Sequence, residues 1–219
     1  SSSVWKNIVI TDNVFTDNSL VGIDINLNRS TNGINISNNT LARNGDDEIG
    51  VWLGNNNKDT SGAVVVANNN ITLSNAVRFG IEIKNPSGTG DSTGVGSIFV
   101  KNNTITTSAH IGANRDMGGI VVIRRKDGYS GALCINDQPK GVVVYNNTVS
   151  VQNIHANLND AYGIVAGGTE HVIYGNTITN TEIPIQVQKG NDGYLTNNSS
   201  NQANVDFYFN RDNSADACA

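Results

Sequence analysis

The sequence predicts an all-β protein, a right-handed parallel β-helix of about seven coils that occupies residues 1–219 as a single domain. Two short phrases of alternating aliphatic residues recur along the chain, and the first of them always contains an asparagine at the same position. The composition supplies turn formers, with 23 glycines and many asparagines but only 3 prolines. Aromatic residues amount to 6%, so the core must be built from Val, Ile and Leu, which favour strands.

The first phrase is two or three alternating aliphatic residues, a polar pair and another aliphatic residue, as in NIVITDNVF and GVVVYNNTV. Its second polar position holds Asn13, Asn39, Asn69, Asn103, Asn147, Asn176 and Asn198. A side-chain amide has two donor hydrogens and an acceptor oxygen. Because stacked strands lie about 4.8 Å apart, such amides can bond to one another from coil to coil. The repeat therefore predicts an internal asparagine ladder at one corner of a solenoid.

A second phrase follows each first one and also alternates with period two, so it predicts another strand. It begins at Gly22, Gly50, Gly80, Gly119, Gly163, Pro184 and Val205. The spacing between successive ladder asparagines varies from 22 to 44 residues. We interpret about 22 residues as the minimal length of one coil, or rung, and the additional residues of longer coils as loops inserted at fixed corners. In solenoids such insertions collect on one face, which often binds a ligand.

The overall charge disfavours several classes of partner. The formal net charge is −5, whereas nucleic-acid binding requires clustered Lys and Arg. No apolar run approaches membrane-spanning length, so we expect no membrane insertion. The oligomeric state stays open.

We expect an extracellular location, either secreted or at the cell surface. The chain starts at Ser1 without Met or a signal peptide, as in a mature secreted chain or an expressed fragment. Cys134 and Cys218 are either one disulfide of an oxidising compartment or two unrelated thiols. Because a strand begins near Val4 without a capping segment, a piece of a longer solenoid is an open alternative.

The repeat and its asparagine ladder resemble right-handed β-helix proteins of the pectate-lyase-like superfamily, which includes polysaccharide lyases, epimerases and hydrolases. The resemblance covers essentially the whole chain and implies that the ladder lies between the second and third strands of each coil. The glycine-led phrase is then the first strand, and the loops beside it form the walls of a substrate cleft. No lyase signature is present, and the Asp-Pro-His signature associated with alginate epimerases is absent as well. The resemblance therefore assigns no catalytic residue.

Alternation predicts which residues of the first strands face outward as one stacked row. They are Asp24, Asn26, Trp52, Glu82, Lys84, Val121, Val165, Gln186 and Gln188. Asp24, Trp52, Glu82 and Gln186 are the substrate-binding candidates of this row. An exposed Trp52 would stack on a sugar ring. The alternative is that a neighbouring loop covers Trp52.

Basic residues concentrate where the first strands of neighbouring coils end. Lys84 ends one of these strands, Arg124, Arg125 and Lys126 follow the next, and Arg115 precedes that strand. Such a cluster on an acidic protein predicts a bound anion such as a uronate carboxylate. A solvated loop that carries charges for solubility is the alternative.

Two of the loops that lead into first strands share a pattern of His, Asn and Asp. His110 is followed by Asp116, His155 is followed by Asp160, and the sequence predicts the same register for Asp47 in the second coil. A histidine near a carboxylate can act as a general base. Stacked Asp116 and Asp160 would instead supply oxygen ligands for Ca²⁺, and simple capping of the bends is the third alternative.

The favoured function is a lyase that cleaves an acidic polysaccharide by β-elimination. Lys84, Arg124 and Arg125 would neutralise the uronate carboxylate, and His110 or His155 would transfer the proton, while Arg115 and Lys126 would bind substrate. A non-catalytic polysaccharide-binding, adhesin or fibre solenoid is the first alternative. An inverting glycoside hydrolase that uses Asp24 and Glu82 is the second.

Overall fold

The computed structural model describes residues 6–27, 32–53, 63–74, 77–84, 98–107, 117–122, 141–152, 161–191, 193–201 and 207–210. Within these ranges the chain forms 21 strands, which assemble into three sheets of seven strands each. Every pairing between neighbouring strands of a sheet is parallel, and each strand pairs with the equivalent strand of the next coil. The predicted all-β parallel β-helix with seven coils is therefore confirmed.

Each coil contributes one strand to each sheet, in the order sheet 1, sheet 2 and sheet 3. Sheet 1 contains β1 (Lys6–Thr11), β4 (Asn32–Ser37), β7 (Val64–Ala67), β10 (Ile98–Lys101), β13 (Val142–Tyr145), β16 (Val172–Tyr174) and β19 (Tyr194–Thr196). Sheet 2 contains β2 (Val14–Thr16), β5 (Thr40–Ala42), β8 (Asn70–Leu73), β11 (Thr104–Thr107), β14 (Thr148–Ser150), β17 (Thr177–Thr179) and β20 (Ser199–Asn201). Sheet 3 contains β3 (Ile23–Leu27), β6 (Asp47–Leu53), β9 (Phe79–Lys84), β12 (Met117–Val122), β15 (Ala161–Thr169), β18 (Ile183–Asn191) and β21 (Phe207–Asn210).

The three sheets enclose one apolar core of stacked aliphatic side chains. In sheet 1, Val66, Val100 and Val144 are register partners and are at most 1% exposed. The neighbouring residues of the same strands, such as Val65 and Val143, point outward and are half-buried. The burial therefore follows the period-two alternation of the sequence.

The asparagine ladder runs along the corner between sheets 1 and 2. The Oδ1 atom of Asn103 accepts hydrogen bonds from the backbone N–H and from Nδ2 of Asn69, both at 3.0 Å. The Nδ2 atom of Asn103 donates to the backbone oxygen of Val66 and to Oδ1 of Asn147, also at 3.0 Å. The ladder side chains from Asn39 to Asn147 are about 1% exposed. The predicted ladder is confirmed, and its buried amides bond on both sides.

The first residue of each polar pair makes the bend itself. Asn102 has a φ of 55°, and the equivalent residues of the other coils have φ between 51° and 64°. They are Asp12, Asn38, Asn68, Asn146, Gly175 and Asn197. Asn, Asp and Gly enter this left-handed region more readily than other residues. The two positions of the pair therefore differ in role, because one sets the backbone and the other supplies the ladder amide.

The register of the second coil differs from the sequence prediction. Ile49 pairs with Ile23 on one side and with Ile81 on the other, so Glu48 occupies the position that glycine holds in the first coil. Gly50, the leading glycine that the sequence predicts for this coil, instead pairs with Asp24 and Glu82. The prediction is wrong because the alternating pattern admits a shift of two residues without moving any side chain to the other face.

The leading glycines lie where sheet 3 approaches sheet 2. A Cβ atom placed on Gly119 would lie 2.8 Å from the backbone oxygen of Gly163 and closer still to Cγ1 of Val149. A Cβ on Gly80 would lie 2.9 Å from Cγ2 of Ile105. These positions therefore require glycine because the corner has no room for a side chain.

Replacing Asn103 with Ala should destabilise the protein by about 2–6 kcal/mol, because two buried donors of Asn69 lose their acceptor and each unsatisfied group costs ~1–3 kcal/mol. Thr104→Ala, an exposed position on the adjacent strand, is the matched control and should change stability by less than about 0.5 kcal/mol. Chemical denaturation measures both values. Equal losses in the two variants would contradict the role of the ladder.

Replacing Gly119 with Ala should lower the free energy of unfolding by about 1–3 kcal/mol, since the added methyl group overpacks the corner. Gly50 provides the control, because a Cβ there would have its nearest neighbours at 3.7 Å and beyond. Gly50→Ala should be neutral or slightly stabilising. Thermal denaturation of both variants tests this, and the opposite ranking would show that the corner can relax.

Candidate functional site

The outer face of sheet 3 carries two rows of register partners. The first row contains Asp24, Gly50, Glu82, Val121, Val165, Gln186 and Tyr208. Trp52 belongs to the second row, where it pairs with Asn26 and Lys84. The sequence analysis places Trp52 in one row with Asp24 and Glu82, and this prediction is wrong because Gly50 occupies the place between those two residues.

Most of the first row is not open to solvent. Glu82 is 1% exposed, Gln186 is 2% exposed, and Val121 and Val165 are 2% and 5% exposed. Asp24 is exposed. The sequence predicts that the row is accessible. For Glu82 and Gln186 this prediction is wrong, because both side chains are buried. Alternation shows which face a residue takes but carries no information about what covers that face.

A second apolar cluster explains part of this burial. Phe79, Val121 and Val165 pack together outside the main core, and half-buried Tyr162 lies against them. The guanidinium of Arg78 lies 5.6 Å from the centre of the Phe79 ring and forms an ion pair with Asp46 at 3.1 Å. The outer face of sheet 3 is therefore partly a packing surface.

The backbone places two of the candidates side by side at the end of sheet 3. Trp52 and Lys84 are register partners on neighbouring coils. Ile83, which precedes Lys84, pairs with Val122, the last residue of β12. Arg115, Arg124, Arg125 and Lys126 lie outside the described residues, as do the side chains of Trp52 and Lys84.

The proposed proton-transfer and calcium-binding residues also fall outside the described part of the chain. These residues are His110, His155, Asp116 and Asp160, and the same holds for Cys134 and Cys218. Met117 and Ala161, which directly follow the two aspartates, are register partners. Asp47 pairs with Phe79 and thus lies two residues away from the register predicted for it. Among the described residues, no three His, Cys, Asp or Glu side chains form a metal-binding group.

The sequence analysis missed a buried carboxyl group at the corner between sheets 2 and 3. Glu48 is fully buried, and its carboxyl group accepts hydrogen bonds from the backbone N–H of Asn44, at 3.2 Å, and from Asn44 Nδ2. Asn44 Oδ1 in turn accepts from Asn18 Nδ2 at 2.7 Å, which makes a second, short ladder. Burial raises the pKa of Glu48, while its bonds to Asn44 oppose this shift. The sequence did contain a signal for this second ladder, because Asn18 and Asn44 are separated by the same 26 residues as Asn13 and Asn39.

His171 is a second buried titratable residue that the sequence analysis did not single out. Its Nδ1 atom accepts the backbone N–H of Val142 at 3.1 Å, and its Nε2 atom lies 3.0 Å from the backbone oxygen of Gly167. This pair of contacts requires the neutral tautomer with the proton on Nε2. Burial lowers the pKa of His171, so the residue ties two coils together as a neutral group.

An aromatic column lies on the outer face of sheet 1. The rings of Tyr145 and Tyr174 stack with centroids 5.0 Å apart and an interplanar angle of 3°. The ammonium group of Lys101 lies 5.8 Å from the centre of the Tyr145 ring. Since these contacts occupy ring faces along the column, we assign it to coil stacking and not to sugar binding.

Comparison with known proteins yields no relative. No family model matches the sequence, and neither a curated protein nor a solved structure matches it. Among the described residues, no helix is long and apolar enough to span a membrane.

The stability of the protein should depend on the protonation of His171. The ordinary pKa of 6.5 applies to the unfolded chain, and the folded pKa lies below it. As the pH falls below 6.5, the unfolded state binds a proton that the folded state does not, so the free energy of unfolding decreases by up to about 1.4 kcal/mol per pH unit. This loss continues until the pH reaches the lowered folded pKa.

Denaturation of wild type and His171→Gln between neutral and mildly acidic pH measures this contribution. Gln does not titrate, so the variant should show a flatter dependence below pH 6.5 although it is less stable at neutral pH. All other titratable groups are shared by the two proteins and cancel in the comparison. Parallel curves would contradict a buried neutral His171.

Proposed function

We propose that this chain is an extracellular, carbohydrate-active parallel β-helix, most specifically a lyase that cleaves a uronate polysaccharide by β-elimination. The observation that carries the proposal is the pairing of Ile83 with Val122. Lys84 directly follows the first of these residues, and Arg124 lies two residues after the second. The pairing supports a cluster of cations at one end of sheet 3 on a protein whose net charge is −5.

The chemistry of elimination matches the residue types that follow these strands. Cations stabilise the negative charge that develops on the uronate carboxylate when the neighbouring carbon loses its proton. A base removes that proton, a carbon–carbon double bond forms, and the glycosidic oxygen leaves and is protonated. We assign charge stabilisation to Lys84, Arg124 and Arg125 and proton transfer to His110 or His155. Arg115 and Lys126 would bind further acidic groups of the polymer.

The register of Trp52 supports a carbohydrate ligand at the same end of the sheet. Its backbone position is next to that of Lys84 and on the same face, since the two residues pair. A tryptophan beside a cation suits a ligand that presents both an apolar ring face and a carboxylate. We therefore propose that the polymer binds along the ends of the sheet 3 strands, with Asp24 at the accessible end of the outer row. Gln186 and Glu82 would support the site from buried positions.

Inverting glycoside hydrolysis is a second candidate, which the place of Gly50 favours. With Gly50 between them, Asp24 and Glu82 stand two rungs apart, which is ~9.6 Å between backbones and close to the ~6.5–9.5 Å carboxyl separation of inverting enzymes. Glu82 is only 1% exposed, however, and a general acid must reach the glycosidic oxygen. This burial places hydrolysis below elimination.

The test is incubation with a panel of acidic and neutral polysaccharides, with added Ca²⁺ and with a chelator. Ultraviolet absorbance of the unsaturated uronate and the release of reducing ends are followed together. Absorbance that rises with reducing ends on an acidic polymer is the expected result. Reducing ends without absorbance would identify a hydrolase, and binding without either signal would favour a non-catalytic solenoid.

Variants then locate the activity. Arg124→Ala and Lys84→Ala should each lower kcat by about 10²–10³-fold, as the loss of one charge-stabilising group typically does. Arg43→Ala is the matched control, because Arg43 is an exposed arginine that pairs with Asp17 at the corner between sheets 2 and 3, where the strands of sheet 3 begin, whereas Lys84 lies where such a strand ends. Unchanged activity in both cluster variants would remove these residues from the mechanism. If the activity of wild type depends on Ca²⁺, the loss of this Ca²⁺-dependent activity in Asp116→Ala would assign the metal to Asp116 and Asp160.

A further inference from the structure

Threonine dominates the outer face of sheet 2. In the second to sixth coils each strand has two outward positions, and the register partners at these positions form two columns along the solenoid. The first column is exposed and contains Thr40, Asn70, Thr104, Thr148 and Thr177. The second column is half-buried and contains Ala42, Thr72, Thr106, Ser150 and Thr179. No member of either column is charged.

The preference of β-branched residues for strands does not by itself account for these columns. On the outer face of sheet 1, the third to sixth coils carry a column of a different kind, which contains Val65, Phe99, Val143 and Val172. Valine has nearly the shape of threonine but lacks the hydroxyl group. Sheet 2 therefore differs from sheet 1 in the hydroxyl groups that it presents and not in its tendency to form strands.

The two columns are evenly spaced from coil to coil. The backbone N–H of each first-column residue donates to the backbone oxygen of the preceding ladder asparagine, and the distance is 2.9 Å in every case. The ladder runs beside this column, and its Nδ2–Oδ1 distances from Asn39 to Asn176 are all 2.9–3.0 Å. The described pairings between these strands contain no register shift. The face therefore repeats about every 4.8 Å from strand to strand and about every 6.8 Å, or two residues, along each strand.

Threonine presents this lattice rigidly. Its β-branched side chain is restricted about χ1, so its methyl and hydroxyl groups keep nearly fixed positions. A hydroxyl group donates one hydrogen bond and accepts two, which resembles the bonding of a water molecule. The exposed column therefore offers sites that hold water molecules at regular intervals, with methyl groups between them.

A ligand that matches this face must be uncharged and must repeat in two directions with nearly the same spacings. Crystalline ice has both properties. The repeats of hexagonal ice along its two principal axes are similar to the spacing of stacked strands and to the distance between alternate residues of one strand. A single polysaccharide chain, by contrast, repeats in one direction only. Ice is therefore the ligand that the charge and the two repeats of this face match best.

We propose that the outer face of sheet 2 binds ice. The hydroxyl groups of Thr104, Thr148 and Thr177 hydrogen-bond to water molecules at positions of the ice surface, and the methyl groups fill the spaces between these molecules. Ice that grows between adsorbed protein molecules must curve outward, which lowers the freezing point below the melting point. This site lies on a different sheet from the proposed polysaccharide site and does not depend on it.

Thermal hysteresis, the difference between the melting and freezing points of a single ice crystal in the protein solution, tests the proposal. Wild type should show hysteresis that increases with protein concentration, and it should become enriched in ice that grows slowly from a dilute solution. Thr148→Tyr should abolish both effects, because the ring projects from the exposed column and holds the face away from the ice. Asn35→Tyr is the matched control, since Asn35 is exposed at an outward position of sheet 1, and it should retain the wild-type hysteresis.

Circular dichroism verifies that the variants are folded, and Thr104→Tyr takes the place of Thr148→Tyr if the latter is not. A wild type that shows neither hysteresis nor enrichment in ice would overturn the proposal. Hysteresis that Thr148→Tyr retains, or that Asn35→Tyr loses to the same extent, would also overturn it, because the activity would then lie elsewhere. Adsorption to an insoluble polysaccharide that Thr148→Tyr loses, without any hysteresis in wild type, would assign the face to a polymer surface instead of ice.

Discussion

The buried amides of the ladder are the interaction on which the rest of the solenoid depends. Each interior ladder amide uses its two donors and its acceptor in hydrogen bonds to the neighbouring coils, so a displaced coil would leave several buried polar groups without partners. The ladder therefore fixes how neighbouring coils align, whatever the length of the loops between them. This explains how rungs of 22 to 44 residues build the same three sheets.

A second constraint acts at the corner between sheets 2 and 3, where most coils require glycine because the two sheets approach so closely. The second coil meets it in another way, with Glu48 held by Asn44. The second coil thus follows the same backbone path as the others although different residues occupy this corner. The outer face of sheet 3 is largely buried from Phe79 to Gln186, so the accessible chemistry shifts towards Asp24 and towards the ends of the strands.

The sequence was sufficient to predict the coil number, the ladder and the inward side chains, because all three follow from local alternation and from a repeated asparagine. It was also sufficient to predict that Lys84 lies beside the end of β12, since Ile83 and Val122 occupy equivalent places in their phrases. It misplaced Trp52 and Asp47 because Gly50 imitates a leading glycine, and only pairing energies between coils distinguish the two registers.

The sequence by itself determined the fold, the ladder and the faces that side chains take, since these depend on backbone periodicity and on the hydrogen-bonding capacity of one residue type. Only the tertiary structure decided that Glu82 and Gln186 are buried and that His171 bridges two coils. Burial and bridging depend on which distant segments meet in space. Those contacts leave no periodic signal in the chain, because each occurs once.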